Sequence, residues 1–104
     1  FAEALIKKGH EISQIFFFQD GVTNGNALVY PDNDEVNLQK HWQMFSITHN
    51  VPLHLCVAAS QRRGVVDNLT TASTGHNNLA EGFIIAGLGE FMAASLKADR
   101  VITL

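Results

Sequence analysis

The sequence holds a single cysteine, Cys56, among 104 residues, so no disulfide can form within it and a reduced, cytosolic thiol is the expected state. No apolar run reaches the roughly 20 residues that a membrane-spanning helix needs. No basic, apolar, small-residue signal peptide opens the chain either, and a cytoplasmic protein without membrane insertion is expected. Basic charge is also scarce: seven Lys and Arg stand against ten Asp and Glu, for a formal charge of -3. Adjacent basic pairs occur only at Lys7-Lys8 and Arg62-Arg63, a poor footprint for the many cationic phosphate contacts of direct nucleic-acid binding. Neither a phosphate-binding P-loop nor a Gly-x-Ser-x-Gly nucleophile elbow is present, which removes the main support for hydrolase and nucleotidase functions. Asn68-Leu69-Thr70 matches the glycosylation sequon, a chance triplet in a cytosolic chain.

What is there suffices for one hydrophobic core. Apolar residues make up 46% and charged residues 16% of the chain, which places it among globular domains of a common single-domain size. Phe1 to Lys8 reads as the later turns of a helix stopped by Gly9; given the α/β fold that the later elements indicate, a first strand, a loop and the start of that helix are expected to precede it, about 20 residues by usual element lengths. Residues 11–18, with Ile12, Ile15 and Phe16-Phe17-Phe18, read as a buried strand. Residues 19–34 collect Asp20-Gly21, Asn24-Gly25-Asn26 and Pro31-Asp32-Asn33-Asp34, turn formers that predict a long loop. Loops of this length in compact domains tend to bind something or cover a site.

Asp34 is placed to cap a helix from Glu35 to about His49, whose Leu38, Trp42 and Phe45 share one face for a core or a subunit interface. After Pro52, Leu53-His54-Leu55-Cys56-Val57 predicts a strand that runs into a short helix over 58–63, ended by Gly64. Residues 67–78 are polar and turn-like, 83–86 are short and ambiguous, 88–98 predict a helix and 101–104 a closing strand. Alternating strands and helices with apolar strands argue for an α/β fold, a mainly parallel sheet covered by helices on both faces.

In such sheets, sites form beyond the carboxyl ends of strands, and Cys56 lies at one. The positive end of the following helix would favour its thiolate, and Arg62 or Arg63 would add to this by turning back towards the sulfur. By spacing alone, however, the plainer account is the stronger: a lone cysteine in an apolar strand is usually an inert core residue. His54 projects from the same strand face and is placed to tune the thiol, or simply to hydrogen-bond near the sheet surface. A His-Cys pair offers too few ligands for zinc, and His10, His41, His49 and His76 form no ligand-like cluster. Gly87-Leu88-Gly89 before a helix lacks the third glycine of a dinucleotide loop, since Met92 stands there, and Glu90 sets negative charge beside the phosphate position; packing glycines are the better account.

Taken together, Phe16-Phe17-Phe18 with Gly21-Val22, Leu55-Cys56-Val57-Ala58-Ala59, Arg62-Arg63-Gly64-Val65-Val66-Asp67, Gly87-Leu88-Gly89 and Asp99-Arg100-Val101 resemble, in order and spacing, the sulfur-relay proteins of the DsrE-like family. The similarity spans nearly the whole chain, with a departure between Asp67 and Gly82, where this sequence looks slightly shorter. The resemblance implies a single three-layer DsrE-like domain over 1–104 and a sulfurtransferase without a cofactor. In it Cys56 accepts sulfur as a persulfide and passes it to an acceptor cysteine, in the relay for 2-thiolation of the tRNA wobble uridine. It further implies TusB- and TusC-like subunits in a dimer of heterotrimers, a TusA-like donor and a TusE-like acceptor. His54, Arg62 and Arg63 remain candidates for tuning or docking. Two alternatives stay open: a scaffold subunit with an inert cysteine, and a nucleotide- or flavin-binding domain of the same architecture.

Overall fold

The computed structural model describes residues 1–27, 37–65 and 78–103. In chain order it forms α1 (Ala2–Lys7), β1 (Ile15–Phe17), a 3-10 segment (Gln19–Gly25), α2 (Leu38–His49), β2 (Leu53–Cys56), α3 (Val57–Arg62), β3 (Phe83–Ala86) and α4 (Leu88–Lys97). The strands make one parallel sheet in the order β1-β2-β3, in agreement with the expected α/β fold. Register aligns Ile15, Leu53 and Phe83 in one row, Phe16, His54 and Ile84 in the next, and Phe17, Leu55 and Ile85 in the third.

Local chemistry sets the element ends. Gly9, at φ 90°, and Gly64, at φ 70°, follow α1 and α3 in the left-handed conformation that glycine adopts without a Cβ penalty. Asn50 does the same after α2 at φ 54°, as asparagine tolerates. The start of α2 differs from expectation. Its cap is Asn37, whose Oδ1 accepts the Lys40 backbone N–H at 3.1 Å, because the cap is whichever side chain reaches the unpaired amides of the first turn. Asp34 and Glu35 lie outside the described residues. Strand β1 is also shorter than its apolar run.

Side chains alternate across the sheet. Phe17, Leu53, Leu55 and Phe83 point to one face, where they form the core with Val22, Ala59, Val65 and Ala80. Helix α2 covers this face: Trp42 meets Phe17 edge-on with ring centroids 5.2 Å apart, and Phe45 is buried behind it. Leu38, expected on the same packed stripe, is 58% exposed; it is the first residue of the helix, a full turn from Trp42. On the opposite face Phe16 packs on Phe91 of α4 at 4.6 Å. Helices therefore flank both faces, the three-layer arrangement expected. That second face is less completely covered, since Ile84 remains 53% exposed.

Residues 101–103 form no strand, contrary to their β-branched composition, and Val101 and Ile102 are exposed. β-Propensity measures fit to a pleated, half-buried surface, and no ladder pairs with them among the described residues. Leu104 lies outside those residues. The ambiguous segment 83–86 is a strand because β2 supplies its ladder.

Beyond the carboxyl ends of β1 and β2, polar side chains clamp the loops. Gln39 of α2 donates through Nε2 to the carbonyls of Asn24 and Asn26 at 3.0 and 2.8 Å. Asn26 and Leu79 form an antiparallel bridge, with Ala80 N–H donating to Gly25 O and Ala27 N–H to Asn78 O, both at 2.7 Å. Asn78 Nδ2 donates to Gly64 O at 2.8 Å.

Gly25 is buried in this clamp, and a Cβ there would run into the side chain of Leu55, itself fully buried. Gly25→Ala is expected to lower stability by about 1–3 kcal/mol, the usual cost of overpacking, read as a lower midpoint in urea at unchanged slope. Ser60 is fully buried with no partner for its hydroxyl among the described residues. Ser60→Ala is expected to raise stability by about 1 kcal/mol, because an unpaired buried polar group is removed; a lower midpoint would show that the hydroxyl is satisfied.

Candidate functional site

Strand β2 is the middle strand, and its pattern of burial decides what reaches the surface. Leu53 and Leu55 are fully buried, whereas His54 and Cys56 are partly exposed on the other face. Cys56 is the last residue of β2 and the residue immediately before α3, with extended backbone at φ -59° and ψ 124°. The chain thus turns from strand to helix at the cysteine, leaving the thiol at the carboxyl edge of the sheet. Its ladder partner on β3 is Ala86, which is buried and has only a methyl group. The thiol is free and half-buried, and its side chain borders the core cluster.

His54 lies two residues earlier on the same face, between Phe16 of β1 and Ile84 of β3 in register. Its Nδ1 is buried and has no hydrogen-bond partner among the described residues. The structure therefore brings His54 and Cys56 to one side of one strand, as the period of two requires.

The two arginines lie elsewhere. Arg63 follows α3, and its Nε donates to Asp20 Oδ1 at 3.0 Å while Nη1 donates to the carbonyl of Ala59 at 3.3 Å. Its guanidinium thereby links α3 to the 3-10 segment that follows β1. Asp20 is almost fully exposed, so this ion pair is screened by water and adds little to stability. Arg62, in the last turn of α3, is exposed.

The sequence marks Asp20 only as a turn former, not as a partner of the site. It sits in a turn-like segment 43 positions from Arg63, and nothing in local pattern announces a contact over that distance. Gly87 caps α4 without left-handed backbone, and a Cβ at Gly87 or Gly89 would meet nothing within 4 Å, so tight packing does not account for these glycines.

No three His, Cys, Asp or Glu side chains come together as a metal site among the described residues, and no helix there is long and apolar enough to cross a membrane. An open depression of about 270 Å³, lined in part by Ile6, His10, Ile12, His49 and Val51, lies before the amino ends of β1 and β2. That is the end of the sheet opposite Cys56.

Known proteins resemble the chain along its full length. It matches the DsrE/DsrF-like family over residues 1–104. It is 88% identical over 104 residues to the protein named sulfurtransferase TusD homolog from Haemophilus influenzae, covering 100% of this chain and 82% of that protein. It is 63% identical over 103 residues to the protein of the same name from Pasteurella multocida, covering 99% and 82%. Among solved structures, the crystal structure of the ychN protein from E. coli aligns with a TM-score of 0.74 at 29% identity, over 99% of this chain and 80% of that one. With a parallel three-layer fold and a whole-length match in hand, the chain belongs to the DsrE/DsrF-like family, within its sulfurtransferase branch.

Proposed function

We propose that this sulfurtransferase is a relay subunit that carries sulfur as a persulfide on Cys56. The observation that carries the proposal is the position of the chain's one cysteine, half-buried at the carboxyl edge of the middle strand. In open α/β sheets that edge is where ligands and partners gather. A fully inert core thiol would be expected to be sealed like Leu53 and Leu55, whereas Cys56 borders the core and is only partly buried.

The chemistry needs only sulfur atoms. The Cys56 thiolate attacks the outer sulfur of a donor protein's persulfide and forms a new S–S bond. The donor's own S–S bond breaks, and its electron pair leaves on the inner sulfur as a thiolate. An acceptor cysteine then attacks the outer sulfur on Cys56, which departs as a thiolate in turn. One sulfur moves in each step without net oxidation, so no cofactor is required.

The donor is TusA-like, the acceptor TusE-like and the subunit neighbours TusB- and TusC-like in a dimer of heterotrimers. The relay is cytoplasmic and ends in 2-thiolation of the tRNA wobble uridine. The net charge of -3 suits protein partners better than direct contact with RNA. The exposed Arg62 is available for docking them, and Arg63 braces the loop beside the site through Asp20.

Intact mass spectrometry of the full-length protein incubated with a persulfide donor is expected to show a gain of one sulfur atom that reducing agent removes and that Cys56→Ser lacks. An equal adduct in Cys56→Ser would overturn the assignment. Cys56 is also expected to react with iodoacetamide in the native assembly; sulfur transfer that continues while Cys56 resists alkylation would make this chain a scaffold.

A further inference from the structure

We propose that His54 is a positioning residue for the persulfide, its Nδ1–H donating a hydrogen bond to the outer sulfur that Cys56 acquires; this rests on Cys56 being the carrier. Gln14, His54 and Ser60 are the side chains whose buried polar atoms lack a hydrogen-bond partner among the described residues. Gln14 precedes β1, at the far end of the sheet. Ser60 is a fully buried residue of α3, off the strand face that carries Cys56. His54 alone combines an unpaired atom with partial exposure and a place on the face of Cys56.

Leaving such an atom unpaired costs stability, and the neighbours of His54 in the sheet, Phe16 and Ile84, offer it nothing polar. The resting thiol gives it no hydrogen bond either; the two residues stand about 6.6 Å apart along the strand. A persulfide extends the side chain by one S–S bond, about 2 Å. It is also more acidic than a thiol and so carries negative charge on that outer sulfur. The outer sulfur is therefore an added acceptor on the strand face where Nδ1 stands unpaired among the described residues.

The test compares full-length wild type, His54→Phe, His54→Asn and His54→Gln after loading with inorganic polysulfide, following the sulfur adduct on Cys56 by intact mass over time. Asn sets an amide N–H near the position of Nδ1, whereas Gln sets it near Nε2. Roughly tenfold faster loss of sulfur is expected for His54→Phe and His54→Gln, the scale of one hydrogen bond to a charged group, with His54→Asn within about twofold of wild type. Equal retention in all four proteins overturns the inference while leaving the carrier role standing. Should His54→Phe fail to fold, the Asn and Gln variants decide: Asn outlasting Gln supports the role of Nδ1, and equal loss overturns it. A wild type that takes up no sulfur removes the carrier role, and this inference with it.

Discussion

The period of two in β2 is the constraint on which the rest depends. Leu53 and Leu55 must both face the core, where they are fully buried between Phe17, Phe83 and the segment around Val22. Once they do, His54 and Cys56 are committed to the other face, because a slip of one residue would turn every side chain over. The aliphatic half of the strand thus fixes the orientation of His54 and Cys56. Burying each leucine gains about 1.5–3 kcal/mol, enough to make the alternative register costly. A partly exposed thiol and a well-packed core are two consequences of the same alternation.

The second feature of the site is the network that holds its surroundings. The 3-10 segment after β1, the end of α3 and the strand-like stretch at 78–80 are tied together by backbone bridges and by Gln39, Asn78 and Arg63. Most of these bonds end on carbonyl oxygens of irregular backbone, groups that would otherwise need water. Their effect is positional. They keep loops from three parts of the chain at the same edge of the sheet as Cys56.

Legibility differed from one feature to another, for identifiable reasons. The strand-to-helix junction at Cys56 could be read because Pro52, an apolar run, small residues and Gly64 punctuate it within a dozen positions. The same holds for α2, where Trp42 and Phe45 recur at helical spacing, although the capping residue is Asn37 and Leu38 remains exposed. Residues 101–103 misled because composition measures willingness to pair, whereas a strand exists only where a neighbour supplies the ladder. The reverse applied to 83–86, whose four residues carry no period of their own and become β3 beside β2.

From sequence alone came the α/β class, the placement of the cysteine at the end of a strand and its shared face with His54, all set by spacings of a few residues along the backbone. Tertiary structure decided what those spacings cannot: that β2 is the middle strand of the described sheet, that Arg63 reaches Asp20, that Ala86 lies beside Cys56 and that His54 sits between Phe16 and Ile84. Each of these joins residues far apart in the chain, and such contacts follow from how the sheet and its helices pack, which no local pattern encodes.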